Sequence, residues 1–169
     1  MDTILVNNKE YKIIKLLGKG KGGYSYLATL NNKSFVIKQI HHEPCSYYNF
    51  GNKIQSEYND YQTLLNTNIR IPQMIDIDFD NERIVKEYIE GKTILELINE
   101  KEAINQYVFQ VKTMQELCKN KGINIDYYPS NFVVDKNNNI FYIDYECNKY
   151  DPKWDYDNWG KQYWEKNSP

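Results

Sequence analysis

The amino-acid sequence predicts an α+β fold made of two lobes. Short, β-favouring segments separated by turns fill the first part of the chain, and a long segment with helical spacing of apolar residues dominates the second part. Elements that are segregated in this way are typical of α+β proteins. Gly91 interrupts the pattern. We therefore expect two lobes that meet near Tyr88–Gly91, one covering residues 1–88 and the other residues 89–169.

The first lobe contains five predicted strands and one predicted helix. The strands are short apolar segments bounded by turn signals, and they cover Tyr11–Leu17, Tyr24–Leu30, Ser34–Ile40, Met74–Phe79 and Arg83–Tyr88. Asn31-Asn32-Lys33 joins the second strand to the third and is a favourable hairpin turn. Asn52 can cap a helix whose apolar residues repeat at helical spacing, namely Ile54, Tyr58, Tyr61 and Leu65.

The second lobe begins with the longest predicted helix, Glu102–Lys121. Its apolar stripe consists of Ile104, Tyr107, Val108, Val111, Met114 and Cys118. Gly122 follows the last turn, where glycine commonly ends a helix. A hairpin comes next, with strands Phe132–Val134 and Ile140–Ile143 around a polar turn. We expect one last helix in the short aromatic tail that starts at Pro152.

Composition and charge exclude several classes of protein. With 41% hydrophobic and 26% charged residues among 169, the chain has the composition of one folded domain. Its net charge of −2 gives no electrostatic reason to expect a nucleic-acid or acidic-membrane partner. A mean hydropathy of −0.76 and the lack of a long apolar run argue against a membrane span.

The start of the chain and its cysteines favour a cytoplasmic protein. The segment Met1–Val6 is too short and too polar around its apolar patch to predict a secretory signal. Cys45, Cys118 and Cys147 are few and widely spaced, which indicates neither a disulfide framework nor a zinc site. We interpret the three cysteines as reduced thiols in a cytosolic protein.

A glycine-rich segment satisfies the pattern G-x-G-x-x-G with Gly18, Gly20 and Gly23. A dinucleotide-binding fold would require a helix directly after these glycines, whereas the following residues turn back at Asn31-Asn32 as a hairpin. A glycine loop between two antiparallel strands can instead present backbone N–H groups to nucleotide phosphates. The alternative is a flexible hairpin turn, although four glycines within six residues are more than such a turn needs.

Lys38 lies on an otherwise apolar strand face, which it shares with Val36 and Ile40. A lysine in that setting needs an anionic partner, because burial of an unpaired ammonium is costly. Glu57, beside the inward stripe of its predicted helix, can supply the carboxylate and orient the lysine towards phosphates. The alternatives are an edge-strand lysine that reaches water and a glutamate on a solvated helix face.

Three polar residues around the second hairpin form a candidate catalytic and metal site. Asn131 precedes one hairpin strand and Asp144 follows its partner, so antiparallel pairing makes them neighbours. A carboxylate and an amide oxygen are hard ligands that suit Mg²⁺ carried in with a nucleotide. Asp126 lies in the loop just before and can accept a proton from an attacking hydroxyl. The alternative is that these are ordinary turn residues.

These motifs together resemble the protein-kinase-like superfamily, in the same order and over most of the chain. The segment Leu17–Gly23 is similar to the kinase glycine-rich loop, and Val36–Lys38 is similar to the strand-three lysine motif. Glu57 falls where the pairing glutamate of kinase helix C would lie. Asp126 with Asn131 resembles the kinase catalytic loop.

The resemblance extends to a hinge and a metal motif. The segment Ile84–Gly91 looks like a kinase hinge, in which the backbone of Glu87 and Ile89 would hydrogen-bond adenine. Asp144-Tyr145-Glu146 stands in place of Asp-Phe-Gly and is more like the triplet of aminoglycoside phosphotransferases and other small bacterial kinase-like enzymes. The resemblance implies a bilobal protein-kinase-like fold, with a five-stranded antiparallel N-lobe sheet and a truncated, mainly helical C-lobe.

The chain also departs from the kinase pattern. Asn124-Ile125-Asp126 replaces His-Arg-Asp, so the arginine that reads activation-loop phosphorylation is absent. Tyr128 occupies the place of the lysine that steadies the transferred phosphate. The chain ends soon after Asp144, which leaves no room for a full activation segment.

The tail resembles the start of kinase helix F, where Asp157, or alternatively Asp155, would anchor the catalytic loop from beneath. Four aromatic residues in this tail are interpreted as core packing over the surface that missing helices would cover, namely Trp154, Trp159, Tyr163 and Trp164.

The resemblance implies an ATP- and Mg²⁺-dependent (or Mn²⁺-dependent) phosphotransferase that moves a γ-phosphate to a hydroxyl, most simply serine or threonine of a protein or of itself. Lys38 would hold the α- and β-phosphates and Glu57 would orient Lys38. Asn131 and Asp144 would bind metal, and Asp126 would orient the acceptor hydroxyl. Two alternatives stay open: a pseudokinase that binds nucleotide or acts as a scaffold, and a small-molecule kinase of the aminoglycoside-phosphotransferase type.

Overall fold

The protein has an α+β fold, as the sequence predicts. A computed structural model describes residues 2–20, 22–43 and 52–165, so Lys21 of the glycine segment and Cys45 lie outside the described residues. The chain divides into two compact units. The first comprises Met1–Asn59 with Pro72–Tyr88, and the second comprises Asp60–Ile71 with Ile89–Pro169.

A six-stranded antiparallel sheet forms most of the first unit. Its strands are β1 (Thr3–Val6), β2 (Lys9–Lys19), β3 (Gly23–Leu30), β4 (Lys33–Ile40), β5 (Met74–Asp78) and β6 (Arg83–Glu87). Their order across the sheet is β1-β2-β3-β4-β6-β5. The helix α1 (Lys53–Leu65) begins in this unit, where the Asn52 side chain caps it by accepting the Gln55 N–H at 3.2 Å. The division between the units falls within α1.

The prediction of a five-stranded sheet was wrong by one strand, because it missed β1. This strand pairs with β2 through a two-residue turn at Asn7 and Asn8, whose φ angles are 46° and 69°. Asn31 and Asn32, which the sequence did identify as a turn, have the same left-handed backbone with φ of 52° and 64°. The turn chemistry was therefore equivalent in the two hairpins, but a four-residue strand carries too short an apolar pattern to be recognised.

One hydrophobic cluster of the first unit consists of the buried residues Ile4, Val6, Tyr11, Ala28, Ile37 and Val85. Ile40, Ile54 and Ile84 are also buried in this unit. Strand β2 is irregular near its glycine-rich end, because its register against β3 shifts between Leu16 and Gly18. Such a shift bends a strand and increases its twist, and here it lies directly before the glycine loop.

The second unit combines helices with short strand pairs. Its helices are α2 (Ile94–Asn99), α3 (Asn105–Asn120) and α4 (Lys161–Trp164), and a π-helical turn at Tyr156–Gly160 leads directly into α4. Its strands are β7 (Lys92–Thr93), β8 (Ile123–Ile125), β9 (Phe132–Val134), β10 (Ile140–Tyr142) and β11 (Cys147–Lys149). They form one sheet in the order β10-β9-β7 and a separate pair of β11 with β8.

The two main predicted elements of the second lobe are confirmed. Helix α3 buries four residues of the predicted stripe, namely Tyr107, Val111, Met114 and Cys118. It ends at a glycine cap where Gly122 has φ of 74° and donates its N–H to Lys119 O at 2.9 Å. Strands β9 and β10 form the predicted hairpin. Helix α2 was not predicted, although Thr93 and Glu96 form a capping box at its start, which is a recognisable sequence signal.

Two further observations concern the length of the helices and the burial of the cysteines. Within the described part of the chain, no helix combines the length and apolar character that crossing a membrane requires. Cys118 and Cys147 are free thiols, and burial raises the pKa of each to about 12, so neither ionises near neutral pH.

Gly91 is required where the chain passes β9. It has φ of 154°, and a Cβ at this position would overlap the main-chain oxygen of Val134. Gly122 also has a positive φ, but its Cβ would point into open space. We expect Gly122→Ala to lower the free energy of unfolding by about 1–3 kcal/mol through backbone strain alone. Gly91→Ala should cost about 1–3 kcal/mol more through overpacking.

Urea unfolding of the two variants beside the wild type measures this difference. Equal losses of stability in the two variants would contradict the close approach of Gly91 to β9.

Candidate functional site

The glycine loop is a tight turn between β2 and β3. The Gly20 N–H donates to Gly23 O at 2.9 Å, while Gly18 lies within β2 opposite Ser25. A Cβ on Gly23 would lie 2.6 Å from Gln39 O, so only glycine fits where the loop enters β3.

Lys38 lies directly beside this loop. It occupies the middle of β4, between Ser25 of β3 and Ile84 of β6. Its Cε is 3.0 Å from the position that a Gly23 Cβ would take, and its Nζ is 3.9 Å from the corresponding position at Gly22. The missing side chains of the two glycines therefore leave the lysine stem and its ammonium packed against the turn.

Glu57, in the second turn of α1, forms an ion pair with Lys38 through Oε1. The two side chains are only 17% and 15% exposed. The other carboxylate oxygen, Oε2, is buried and accepts no hydrogen bond from the described residues. The first unit thus holds a half-buried cation, oriented by a carboxylate, next to a turn whose backbone a ligand can approach closely.

Residues that follow β4 also form hydrogen bonds with the glycine loop and the residues beside it. His41 donates from Nε2 to Gly20 O at 2.9 Å. Lys19 Nζ lies 2.9 Å from Glu43 Oε1, and Tyr24 donates its hydroxyl to the same carboxylate. Lys19 and Glu43 therefore form an exposed ion pair, with side chains 53% and 46% exposed.

Glu87 and Ile89, the residues predicted to bind adenine, lie at the end of β6 and just after it. Glu87 donates its N–H to Gln73 O at 2.9 Å and accepts the Gln73 N–H on its side chain at 3.1 Å. Ile89 is half-buried and belongs to an irregular segment of the second unit. The N–H of Glu87 is thus already used within the first unit.

Asp126 follows β8 in the second unit, and both its carboxylate and its main-chain N–H are hydrogen-bonded. Its carboxylate accepts the Tyr128 N–H at 3.1 Å, and its own N–H donates to the Tyr142 hydroxyl at 3.1 Å. Its side chain is half-buried. These bonds orient the carboxylate while leaving it partly accessible to solvent.

The hairpin brings the main chain of Asn131 opposite Ile143, the residue before Asp144. The Ile143 N–H donates to Asn131 O at 2.9 Å, which extends the β9–β10 ladder to the residue before Asp144. The Asn131 amide nitrogen donates to Asp126 O at 3.4 Å, so the amide oxygen is the atom left for a cation. Asp144 Oδ1 accepts the Glu146 N–H at 3.3 Å.

This pair fits a metal that arrives with other ligands. Among the described residues, no group of three or more His, Cys, Asp or Glu side chains could hold a metal ion. Mg²⁺ usually keeps several waters and binds through one or two protein oxygens plus substrate phosphates. One carboxylate beside one amide oxygen matches that requirement.

Three residues that hold the Asp126 loop were not identified from the sequence. Tyr142 binds the Asp126 N–H as described above, and the Trp164 indole N–H donates to Tyr127 O at 2.7 Å. A Cβ on Gly160 would lie 2.7 Å from the Tyr127 Cβ, so glycine permits this approach. The available signal was a buried tyrosine and a buried tryptophan, whose polar groups need partners.

The expectation that Asp157 or Asp155 anchors this loop was wrong. Asp157 accepts a hydrogen bond from the Gln115 side chain on α3 at 2.9 Å. Asp155 caps the following helical turn by accepting the Asn158 N–H at 2.8 Å. Trp164, which packs on Phe132 in the core as predicted, performs the anchoring instead. Trp154 differs from the predicted core role, since it is 46% exposed.

Comparison of the chain with protein-family models and with curated proteins gives no match.

The Lys38–Glu57 pair can be tested by a double-mutant cycle with Lys38→Met and Glu57→Gln. Because both side chains are mostly buried, each single change leaves a desolvated polar group without its partner. We expect a coupling energy of about 0.5–3 kcal/mol in favour of the pair. Denaturant unfolding of the four proteins measures it.

The control is the exposed pair Lys92–Glu100, whose groups lie 2.7 Å apart with side chains 57% and 42% exposed. Its coupling should be smaller and should decline with added salt, because solvent screens it. Additive effects of the Lys38 and Glu57 changes would contradict the pairing.

Proposed function

We propose that the protein is an ATP- and Mg²⁺-dependent phosphotransferase with a protein-kinase-like fold, which moves the γ-phosphate of ATP to a hydroxyl group. The observation that carries the proposal is the half-buried Lys38–Glu57 ion pair packed against the glycine turn. A buried charge is costly to maintain, and this one lies where backbone N–H groups and an ammonium can meet an anionic ligand. Nucleotide phosphates are the ligand class that this combination suits best.

In the first unit, Lys38 would bind the α- and β-phosphates and Glu57 would keep its ammonium oriented. The glycine loop of Gly18, Gly20 and Gly23 would cover the phosphates, while the Gly20 N–H is kept within the turn by Gly23 O. The N–H of Glu87 is engaged by Gln73. Adenine would therefore be recognised by the Glu87 carbonyl and the Ile89 N–H.

In the second unit, the Asn131 amide oxygen and the Asp144 carboxylate would hold Mg²⁺, or Mn²⁺ in its place. The bound ion supplies charge neutralisation for the phosphates. Asp126 would accept the hydrogen bond of the acceptor hydroxyl and take its proton as the O–P bond forms. The released group is ADP. Catalysis would rest on positioning and charge stabilisation.

The acceptor that we propose is a serine or threonine hydroxyl of a protein or of the chain itself, in the cytoplasm. A small-molecule acceptor, as in the aminoglycoside-phosphotransferase type, is the variant of the same proposal. Small-molecule kinases of this superfamily usually carry extra helical material around the acceptor. The described part of this second unit has three α-helices of its own, apart from the end of α1, and a few short 3-10 and π-helical turns.

A pseudokinase is the second candidate, and one observation favours it. The hydrogen bonds of Asp126 involve Tyr128, Tyr142 and Asn131, none of which carries a positive charge. Tyr128 packs on Tyr163 at 5.2 Å between ring centroids rather than supplying a cation. Lys19 is engaged by Glu43. A nucleotide-binding or scaffold module would tolerate this lack of charge more easily than an enzyme.

Phosphate transfer by the full chain separates the two candidates. We expect γ-labelled ATP with Mg²⁺ or Mn²⁺ to label the chain or an added protein, peptide or small alcohol. Asp126→Asn should lower the rate by about 10²–10⁴-fold, because the hydroxyl loses its proton acceptor. Asp80→Asn, the same chemical change at an exposed turn, is the matched control and should keep the wild-type rate. Intact-mass measurement after incubation reports self-phosphorylation.

Two outcomes would contradict the enzyme. One is the absence of transfer to every acceptor, combined with stabilisation by Mg-ATP, which indicates a pseudokinase. A ligand at one hundred times its Kd stabilises a protein by about 2.7 kcal/mol, so thermal unfolding detects such binding. The other is equal activity of Asp126→Asn and Asp80→Asn, which would remove Asp126 from the chemistry.

A further inference from the structure

The hydroxyl of Tyr142 is completely buried in the second unit and makes two hydrogen bonds to main-chain groups. It accepts the N–H of Asp126 at 3.1 Å and donates to the carbonyl of Glu146 at 2.6 Å. Asp126 belongs to the loop after β8, and Glu146 lies just before β11. One side chain therefore joins the two segments that carry the proposed catalytic base and the proposed metal ligand.

Glu146 continues this connection to Asp144. Its N–H donates to Asp144 Oδ1 at 3.3 Å, while its carbonyl accepts the Tyr142 hydroxyl. A shift of Glu146 would therefore alter the direction of the Asp144 carboxylate. The hydrogen bonds run from the main chain of Asp126, through Tyr142 and Glu146, to the carboxylate of Asp144.

The hydroxyl has a role that packing of the ring does not explain. The Tyr142 ring lies 5.3 Å from Phe132 between centroids, a contact that phenylalanine would keep. A buried hydroxyl is unfavourable unless it is hydrogen-bonded, and this one uses both its donor and an acceptor site.

We infer that Tyr142 is a positioning residue for phosphate transfer, because its hydroxyl holds Asp126 and the segment carrying Asp144 in a common geometry. The inference rests on the proposed function. Tyr142 touches neither nucleotide nor acceptor in this scheme. Its effect passes through the main chain of Asp126 to the proton acceptor, and through Glu146 to the metal ligand.

The test compares Tyr142→Phe with Tyr107→Phe in the full chain. Tyr107 is also buried in the second unit, and its hydroxyl bonds to Asn138 at 3.3 Å, away from Asp126 and Asp144. Tyr142→Phe should lower kcat by about 10–100-fold, the size of effect seen when a residue that orients a metal ligand is changed. It should also raise the Mg²⁺ concentration needed for half-maximal rate, with little change in KM for ATP. Tyr107→Phe should keep the wild-type kcat and metal dependence.

A purely structural role predicts a different result. Tyr142→Phe would then lose activity only in proportion to its unfolded fraction, with an unchanged metal dependence, and this would overturn the inference. If Tyr142→Phe does not fold, 3-fluorotyrosine at position 142 keeps the shape and weakens the hydroxyl as an acceptor. A smaller fall in kcat then supports the inference, and an unchanged kcat overturns it.

The proposed function and this inference can fail separately. If the wild type transfers no phosphate, the proposed function fails. The positioning role is then decided by Mn²⁺ binding in the presence of ATP, followed by electron paramagnetic resonance. Weaker Mn²⁺ binding by Tyr142→Phe than by the wild type supports it, whereas equal binding, or binding by neither protein, overturns it.

Discussion

The main-chain hydrogen bond from Ile143 to the carbonyl of Asn131 sets the geometry of the second unit's polar site. It extends the β9–β10 ladder by one step beyond the pair of Tyr142 with Phe132, and so places Asn131 opposite Ile143, the residue before Asp144. The same register directs Tyr142 into the core, where its hydroxyl meets the Asp126 main chain. A shift of register by one residue would turn Tyr142 outwards and separate all three polar residues, because side chains alternate along a strand.

The first unit depends on an equivalent constraint at the glycine loop. Gly23 has no side chain, and this lets the stem of Lys38 lie against the turn while its ammonium reaches Glu57. A cation and a carboxylate that are mostly withdrawn from water contribute little net stability, since desolvation offsets their attraction. Their retention at this position is easier to explain by ligand binding than by folding. The loop itself is held by His41 through the Gly20 carbonyl.

The sequence was most informative where a pattern is local. Asn31-Asn32 gives the β3–β4 register, and the apolar stripe with Gly122 gives α3 within three residues of its observed start. The hairpin of β9 and β10 also followed from its apolar strands and polar turn. The missing information concerned contacts between distant segments. The residues next to Tyr142 and Trp164 in the sequence do not indicate that each side chain bonds to a main-chain atom of the Asp126 loop. The aspartates of the tail were the more obvious candidates for this role, but they do not bond to the loop.

The central claim is that Asn131 and Asp144 hold the metal of a bound Mg-ATP. The most direct measurement is NMR of the full chain with Mn²⁺ and a non-hydrolysable ATP analogue, because Mn²⁺ broadens the signals of nearby nuclei. The claim predicts broadening of the Asn131 side-chain amide when the analogue is present, and none of it without nucleotide. No broadening of that amide with the analogue, or equal broadening by Mn²⁺ alone, would contradict the claim.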